Sequence, residues 1–268
     1  MKRLFLLVIA AVLAANLYSR EIANKKAAYR AIYNYFYKTD SLKNGYAKDV
    51  FHLDVCMNGK SFFYSRAAQY RDSLIEAETA KGMKLLDVLN NYRSVSRGLE
   101  WQIEKSFMER KYNYTSKVVK YYSYWEPLQM PQWNFLEDTL TILGYPCRKA
   151  EAEIEGRTWT VWYAPDIPIN DGPWMFWGLP GLVLYGIDKS SLFVFKCTAV
   201  GQLPEPVEVV LPPDNKEVLS SSKHKVLDME EVMAKDPLLL LENDNVSVKA
   251  AMPVKSQKRP YIPIVKRK

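Results

Sequence analysis

The sequence predicts an α+β protein that is mostly β: a curved antiparallel sheet, or a partly open barrel, with helices packed on one face. Three observations carry this. Aromatic residues make up 13% of the 268 residues, with 18 Tyr among them, and aromatics favour strands. Several short runs alternate apolar and polar residues, as in a sheet with one wet side. The turn dipeptides Asn58-Gly59 and Glu155-Gly156 lie between such runs. Helical spacing is confined to residues 66–110 and to one short stretch near the end.

Taken in order, residues 1–19 read as a secretory signal peptide. Lys2-Arg3 is the charged start, and Leu4–Ala15 is apolar but too short to span a bilayer. Small residues near Ala14 and Ser19 offer cleavage sites, and no cysteine follows for lipid attachment. The expected product is periplasmic or secreted, and not transmembrane once the signal is removed. Residues 29–37 read as a strand with Tyr29, Ala31, Tyr33, Tyr35 and Tyr37 on one face. Residues 50–57 and 60–65 form a hairpin on Asn58-Gly59, read as a two-residue type I′ turn. That register pairs Val55 with Phe62 and Leu53 with Tyr64, and puts His52, Asp54 and Cys56 on the other face.

Residues 66–90 turn helical, with Ser65 as cap and Gly82 as a break. Residues 99–110 read as a further helix with Leu99, Ile103 and Phe107 on one stripe. Strand character returns over 116–126 and 132–143. A second hairpin, 148–163, sets Ala152 opposite Trp159 and Ala150 opposite Val161. Strands 182–187 and 192–200 are apolar enough to be central. Beyond Leu203, the prolines at 204, 206, 212 and 213 mark an extended segment. Asp228-Met-Glu-Glu231 reads as a capping box opening a short helix, and Leu238–Leu241 as a docked strand or clasp. The domain division is a signal at 1–19, a β-rich domain at 20–213 and a C-terminal extension at 214–268.

The net charge of +7 is unevenly distributed. Lys2, Arg3 and the seven basic residues of 249–268 more than account for it, and the body is slightly acidic. A nucleic-acid partner wants a basic face on the folded domain, so none is expected. The basic tail reads as a solvated terminus, with anionic headgroups as the alternative contact.

The chain centres on Gly172-Pro-Trp-Met-Phe-Trp-Gly-Leu-Pro-Gly-Leu-Val-Leu-Tyr-Gly186. Pro180 and Gly181 predict a type II turn that delivers the chain into strand 182–187. Two readings of the aromatics stand side by side. Trp174, Phe176, Trp177, Leu179, Pro180 and Leu182 either plug one end of the core or form a binding surface. Gly178-Leu-Pro-Gly-Leu-Val183 resembles the motif of the GLPGLI family of Gram-negative secreted proteins, with Val183 for the last Ile. Ile142-Leu-Gly-Tyr-Pro-Cys147-Arg-Lys-Ala150, Gly156-Arg157, Trp162-Tyr163 through Ile169, Gly172-Pro173 and Arg259-Pro-Tyr-Ile-Pro-Ile264 are similar to its other motifs. The resemblance covers about residues 27–265. It implies secretion and implies no activity. Gly178, Gly181, Cys147, Arg157 and Asp166 are the positions singled out as motif or structural residues, and Arg157 with Asp166 reads as a loop-ordering ion pair.

Catalytic material is sparse. With two His and no H-E-x-x-H, C-x-x-C or P-loop, no metal site or cofactor is called for. His52 and Cys56 lie roughly 13 Å apart along a strand, too far to share a metal. Three Cys allow one disulfide with a thiol left over, and Cys147 with Cys197 is the favoured pair because they flank the motif. Carboxylates Glu126, Asp138, Asp166 and Asp171 are the remaining acid–base candidates. The leading function is a non-catalytic envelope protein that binds an apolar, lipid-like or amphipathic ligand. The alternative is a protein–protein interaction module of the envelope, and after it a carboxylate-dependent hydrolase.

Overall fold

A computed structural model describes residues 26–209, 211–212, 216–236 and 260–266. The expected signal peptide, the clasp at 238–241 and most of the basic tail lie outside the described residues. The elements are β1 (Lys26–Tyr37), β2 (Ala47–Cys56), β3 (Lys60–Ser65), α1 (Arg66–Ala80), α2 (Leu85–Asn91), β4 (Trp101–Ser106), β5 (Lys111–Val118) and β6 (Lys120–Pro127). They continue with β7 (Asn134–Ile142), β8 (Tyr145–Ile154), β9 (Arg157–Ala164), β10 (Leu182–Asp188), β11 (Phe193–Glu208), β12 (Val218–Ser220) and α3 (Lys223–Lys235).

Among the described residues, twelve strands form one sheet in the order β12-β6-β5-β4-β3-β2-β1-β11-β10-β9-β8-β7. Neighbours are antiparallel throughout except for β12, which runs parallel to β6. The two edges, β12 and β7, do not meet, so the sheet stays open. Its inner face nevertheless closes on one core. A single apolar cluster holds Phe51, Phe63, Ile103 and Tyr124 from one half of the strand order with Trp159, Val161, Leu184 and Phe195 from the other. A smaller cluster of Ala27, Cys56, Phe62, Tyr64 and Val209 covers part of the outer face.

The hairpin β8–β9 follows its sequence pattern. Ala152 opposes Trp159 and Ala150 opposes Val161, and the two turn residues have φ of 50° and 72°, as a type I′ turn requires. The hairpin β2–β3 corrects the expected register by one residue. Leu53 opposes Phe63 and His52 opposes Tyr64. The loop is Met57-Asn58-Gly59, with Gly59 at φ 76°, so it has three residues with a glycine in the left-handed position. Because both faces of these strands are covered, either register buries large side chains, and the apolar pattern alone does not decide between them.

Residues 99–110 are not a helix. They form β4 and the turn into β5, hydrogen-bonded on both sides to β3 and β5. Trp101, Ile103 and Lys105 alternate onto the inner face. The stripe Leu99, Ile103, Phe107 also fits a helical period, but two ladder partners override that local signal. Helix α1 starts where expected, with the Ser65 hydroxyl accepting from the Ala68 amide at 3.2 Å. Helix α3 starts earlier than expected, at Ser222, whose hydroxyl caps the Lys225 amide at 3.3 Å, and Asp228 falls inside it.

The helices do not share one face of the sheet. Asp72 of α1 bonds Lys117 and the Tyr121 hydroxyl, whereas Glu230 of α3 accepts from the Tyr114 hydroxyl at 2.8 Å. Lys117 and Tyr114 lie an odd number of residues apart on β5, so they point to opposite faces. Strand β11 runs on through Pro204 and Pro206. Those prolines fall where the register with β1 jumps from Tyr29–Gln202 to Ala27–Val207, a bulge that asks no amide of them.

Candidate functional site

The loop between β9 and β10 carries the central motif over the inner core. Trp174 lies 5.1 Å from Trp159 and 5.8 Å from Phe176, ring centroid to centroid. Phe176 in turn lies edge-on to Phe195 at 5.8 Å. Trp174, Phe176, Leu179 and Leu182 are at most 1% exposed, so four of the six candidate binding residues sit in the core. Trp177 is half-buried. Its indole N–H donates to the Gln129 carbonyl at 3.1 Å, and its carbonyl accepts from the Trp133 indole at 2.9 Å. Pro180 is exposed.

The expected type II turn is replaced by something tighter. The Gly181 amide donates to the Leu179 carbonyl at 2.8 Å, while the Leu182 amide donates to Ile167 at 3.1 Å. Pro180 is therefore the centre of a three-residue turn. Gly181 sits at φ 148°, and a Cβ there would lie 2.2 Å from the Ala164 carbonyl oxygen. The backbones of the loop and β9 approach so closely that only glycine fits.

The family model Porph_ging, a protein of unknown function, matches residues 151–185. That stretch runs from β8 through β9 and the loop into β10, and it includes the GLPGLI-type motif. No curated protein matches the sequence. Two solved structures of PNGF-II share the fold, with TM-scores of 0.52 and 0.51 at 15% identity. Each alignment covers 76% of this chain, and 32% or 33% of the PNGF-II chain. This chain thus spans about a third of that protein's length.

The Porph_ging segment is anchored by two buried cations. Lys105, on the inner face of β4, donates to the Asp171 carboxylate and to the Gly172 carbonyl, the latter at 2.8 Å. Lys105 is fully buried, and desolvation pulls its pKa down although Asp171 opposes the shift. Asp171 Oδ1 also accepts from the Gly172 amide at 2.8 Å, while Oδ2 is buried without a hydrogen bond. The second cation is Arg157. It does not pair with Asp166, which is exposed. Its Nη1 lies 3.5 Å from Asp188, and its guanidinium stacks 4.6 Å above the Phe193 ring. Its Nε and Nη2 donate to the carbonyls of Ile264 and Pro263 at 2.8 and 2.5 Å.

Residues 260–266 and α3 together roof a cavity of about 460 Å³ on the inner face. Tyr35, Trp101, Tyr114 and Phe193 form its aromatic wall, and Ile262 and Met233 close the other side. Charged groups of both signs, Arg97, Glu100 and Glu230, also line it. Burial pushes the hydroxyls of Tyr35 and Tyr114 far above the usual tyrosine range, so the wall stays neutral. None of these residues belongs to the central motif. The alternation of β1 placed Tyr35 on the right face, but Trp101 was hidden by the helical reading of 99–110.

The remaining candidates are scattered. Glu126 lies near the end of β6; Asp138 of β7 is exposed and takes a hydrogen bond from Lys149 at 2.9 Å; Asp171 is committed to Lys105. Among the described residues no group of three or more His, Cys, Asp or Glu is placed to hold a metal ion. The three thiols are free and buried. Strands β9 and β10 lie between β8, which carries Cys147, and β11, which carries Cys197, and the favoured bridge is not formed. Burial pushes the Cys56 and Cys197 thiols up to about 12, which keeps them protonated and poorly nucleophilic. No helix among the described residues is long and apolar enough to cross a membrane.

Proposed function

We propose that the protein is an exported, non-catalytic envelope protein that binds an apolar or amphipathic ligand in the cavity under α3 and residues 260–266. The observation that supports this most is the lining. A volume of about 460 Å³ falls in the range of small-molecule sites, which are mostly apolar with a few placed polar groups. Neutral aromatic rings suit a hydrocarbon or ring system. The Arg97 cation and the carboxylates of Glu100 and Glu230 beside them suit a polar head that both donates and accepts. The binding candidates of the central motif move into a supporting role, since Trp174 packs on Trp159 and Phe176 on Phe195, which in turn stacks on Tyr35 of the wall.

The test is native mass spectrometry of the full chain purified gently from its cells, beside an Ala234→Trp variant. Ala234 lines the cavity from α3, so the indole fills the space and leaves the sheet untouched. A bound apolar mass in the wild-type protein that is absent from the variant supports the proposal. A clean apo mass, or a bound mass unaffected by the variant, overturns it. A second reading, an interaction module of the envelope, is favoured by edge strand β7, where Phe135 and Leu140 are 58% and 47% exposed. A protein partner captured by cross-linking through β7 would support that reading.

A further inference from the structure

We infer that the groove formed by the Glu155–Arg157 turn, Asp188 and Phe193 is a receptor for a proline-bearing peptide that bends just after its proline, filled in this chain by its own residues 260–266. The contacts are those of a peptide-recognition site rather than of a packed secondary element. Residues 260–266 form no helix or strand. Two successive carbonyls, of Pro263 and Ile264, are read by the two arms of one guanidinium. The Lys266 amide donates to the Glu155 carbonyl at 3.0 Å. These bonds address main-chain atoms, so any peptide that bends as this segment does at Ile264 and Val265 can make them. Proline at 263 fixes its own φ ahead of the bend and brings no amide that would need a partner.

Side-chain selection rests first on Val265, with Ile262 and Ile264 partly buried against the same core. Val265 is 8% exposed and joins the inner core, so the groove takes a β-branched or similar apolar side chain there. The receptor side is held in place beforehand. Asp188 accepts hydrogen bonds from the amides of Leu192 and Phe193 at 2.7 and 2.8 Å, which orients it toward Arg157. The Phe193 ring supports the guanidinium from one side. Gly156 leaves room for the peptide, because a Cβ there would stand 2.9 Å from the Lys266 Cβ. A pre-set fork, an apolar pocket and a cleared backbone are what a site that reads main-chain atoms of a peptide needs. This inference concerns a peptide in the groove and does not depend on what fills the cavity.

A segment on the same chain competes at an effective concentration on the order of millimolar, so its own hold must be weakened first. The experiment uses the full chain with Val265→Asp, and separately with Lys266→Pro, which removes the donating amide. A fluorescently labelled peptide with the sequence of residues 260–266 is titrated against each variant and the wild-type chain by anisotropy. Saturable binding to both variants, at least tenfold tighter than to the wild-type chain, is expected. Adding Arg157→Lys, which keeps the charge and loses the fork, is expected to weaken that binding at least tenfold. No saturable binding to either folded variant overturns the inference, as does binding indifferent to Arg157→Lys. Failure of both variants to fold also overturns it, since a groove that cannot release its own segment is no receptor.

Discussion

The ammonium of Lys105 and the carboxylate of Asp171, 66 residues apart in sequence, form an ion pair with side chains 0% and 2% exposed. It ties β4 to the loop that carries the central motif. Removing one partner leaves the other charge buried alone, which costs about 3–5 kcal/mol. Lys105→Met and Asp171→Asn are each expected to lose stability of that order in urea unfolding. The double variant is expected to recover part of it, and strictly additive losses would show that the two groups act separately.

Trp174→Ala removes a fully enclosed indole packed tilted on Trp159 and edge-on to Phe176, and is expected to cost about 3–5 kcal/mol. Trp177→Ala removes a half-buried ring and one hydrogen bond, and is expected to cost clearly less. Chemical denaturation of the two variants side by side checks the order. Equal losses would mean that Trp177 is as much a part of the core as Trp174.

His52 makes stability fall in mild acid. Its Nδ1 is buried without a hydrogen bond. Burial first, then the charge of Arg30, lowers its pKa to about 4, with Asp54 opposing. The folded state therefore binds fewer protons than the unfolded chain between about pH 6.5 and 4. The contribution is whole above pH 6.5 and is lost as pH falls toward 4, by about 3 kcal/mol. Urea midpoints measured across that window are expected to drop more steeply for the wild-type protein than for His52→Gln. Parallel slopes would exclude His52 as the cause.

Gly181→Ala meets the Ala164 carbonyl and an unfavourable φ at once, whereas Gly201→Ala meets nothing within 4 Å. The first is expected to lower the melting temperature by several degrees and the second to leave it within a degree or two. A thermal scan of both variants decides it. An unchanged Gly181→Ala protein would mean that the loop and β9 move apart freely.

Local chemistry explains which parts of this fold were legible in the sequence. The β8–β9 register follows from one two-residue turn with a glycine and from small-against-large pairs that work in only one alignment. The β2–β3 register slipped because Asn58-Gly59 also fits a longer loop and both faces of the hairpin are buried. Lys105 was not legible at all. A lysine pointing into a core contradicts the alternation rule, and its partner lies in a distant loop. The cavity was half legible: the tyrosines of β1 announced an aromatic face, but the roof over it comes from α3 and from a distant segment that Arg157 holds. In sequence, Gly156-Arg157 and Pro-Tyr-Ile-Pro-Ile264 are separate motifs, and the contact between them exists only in three dimensions.

Gly156 takes part in two structures at once. It closes the β8–β9 hairpin at φ 72°, and its bare α-carbon is the surface on which Lys266 rests. A side chain at this position would strain the hairpin and also push the terminal segment off its seat, so no substitution of Gly156 separates the two effects. Loosening the terminal segment while keeping the sheet intact therefore calls for a change away from this glycine, in the segment's own residues or at the Arg157 fork.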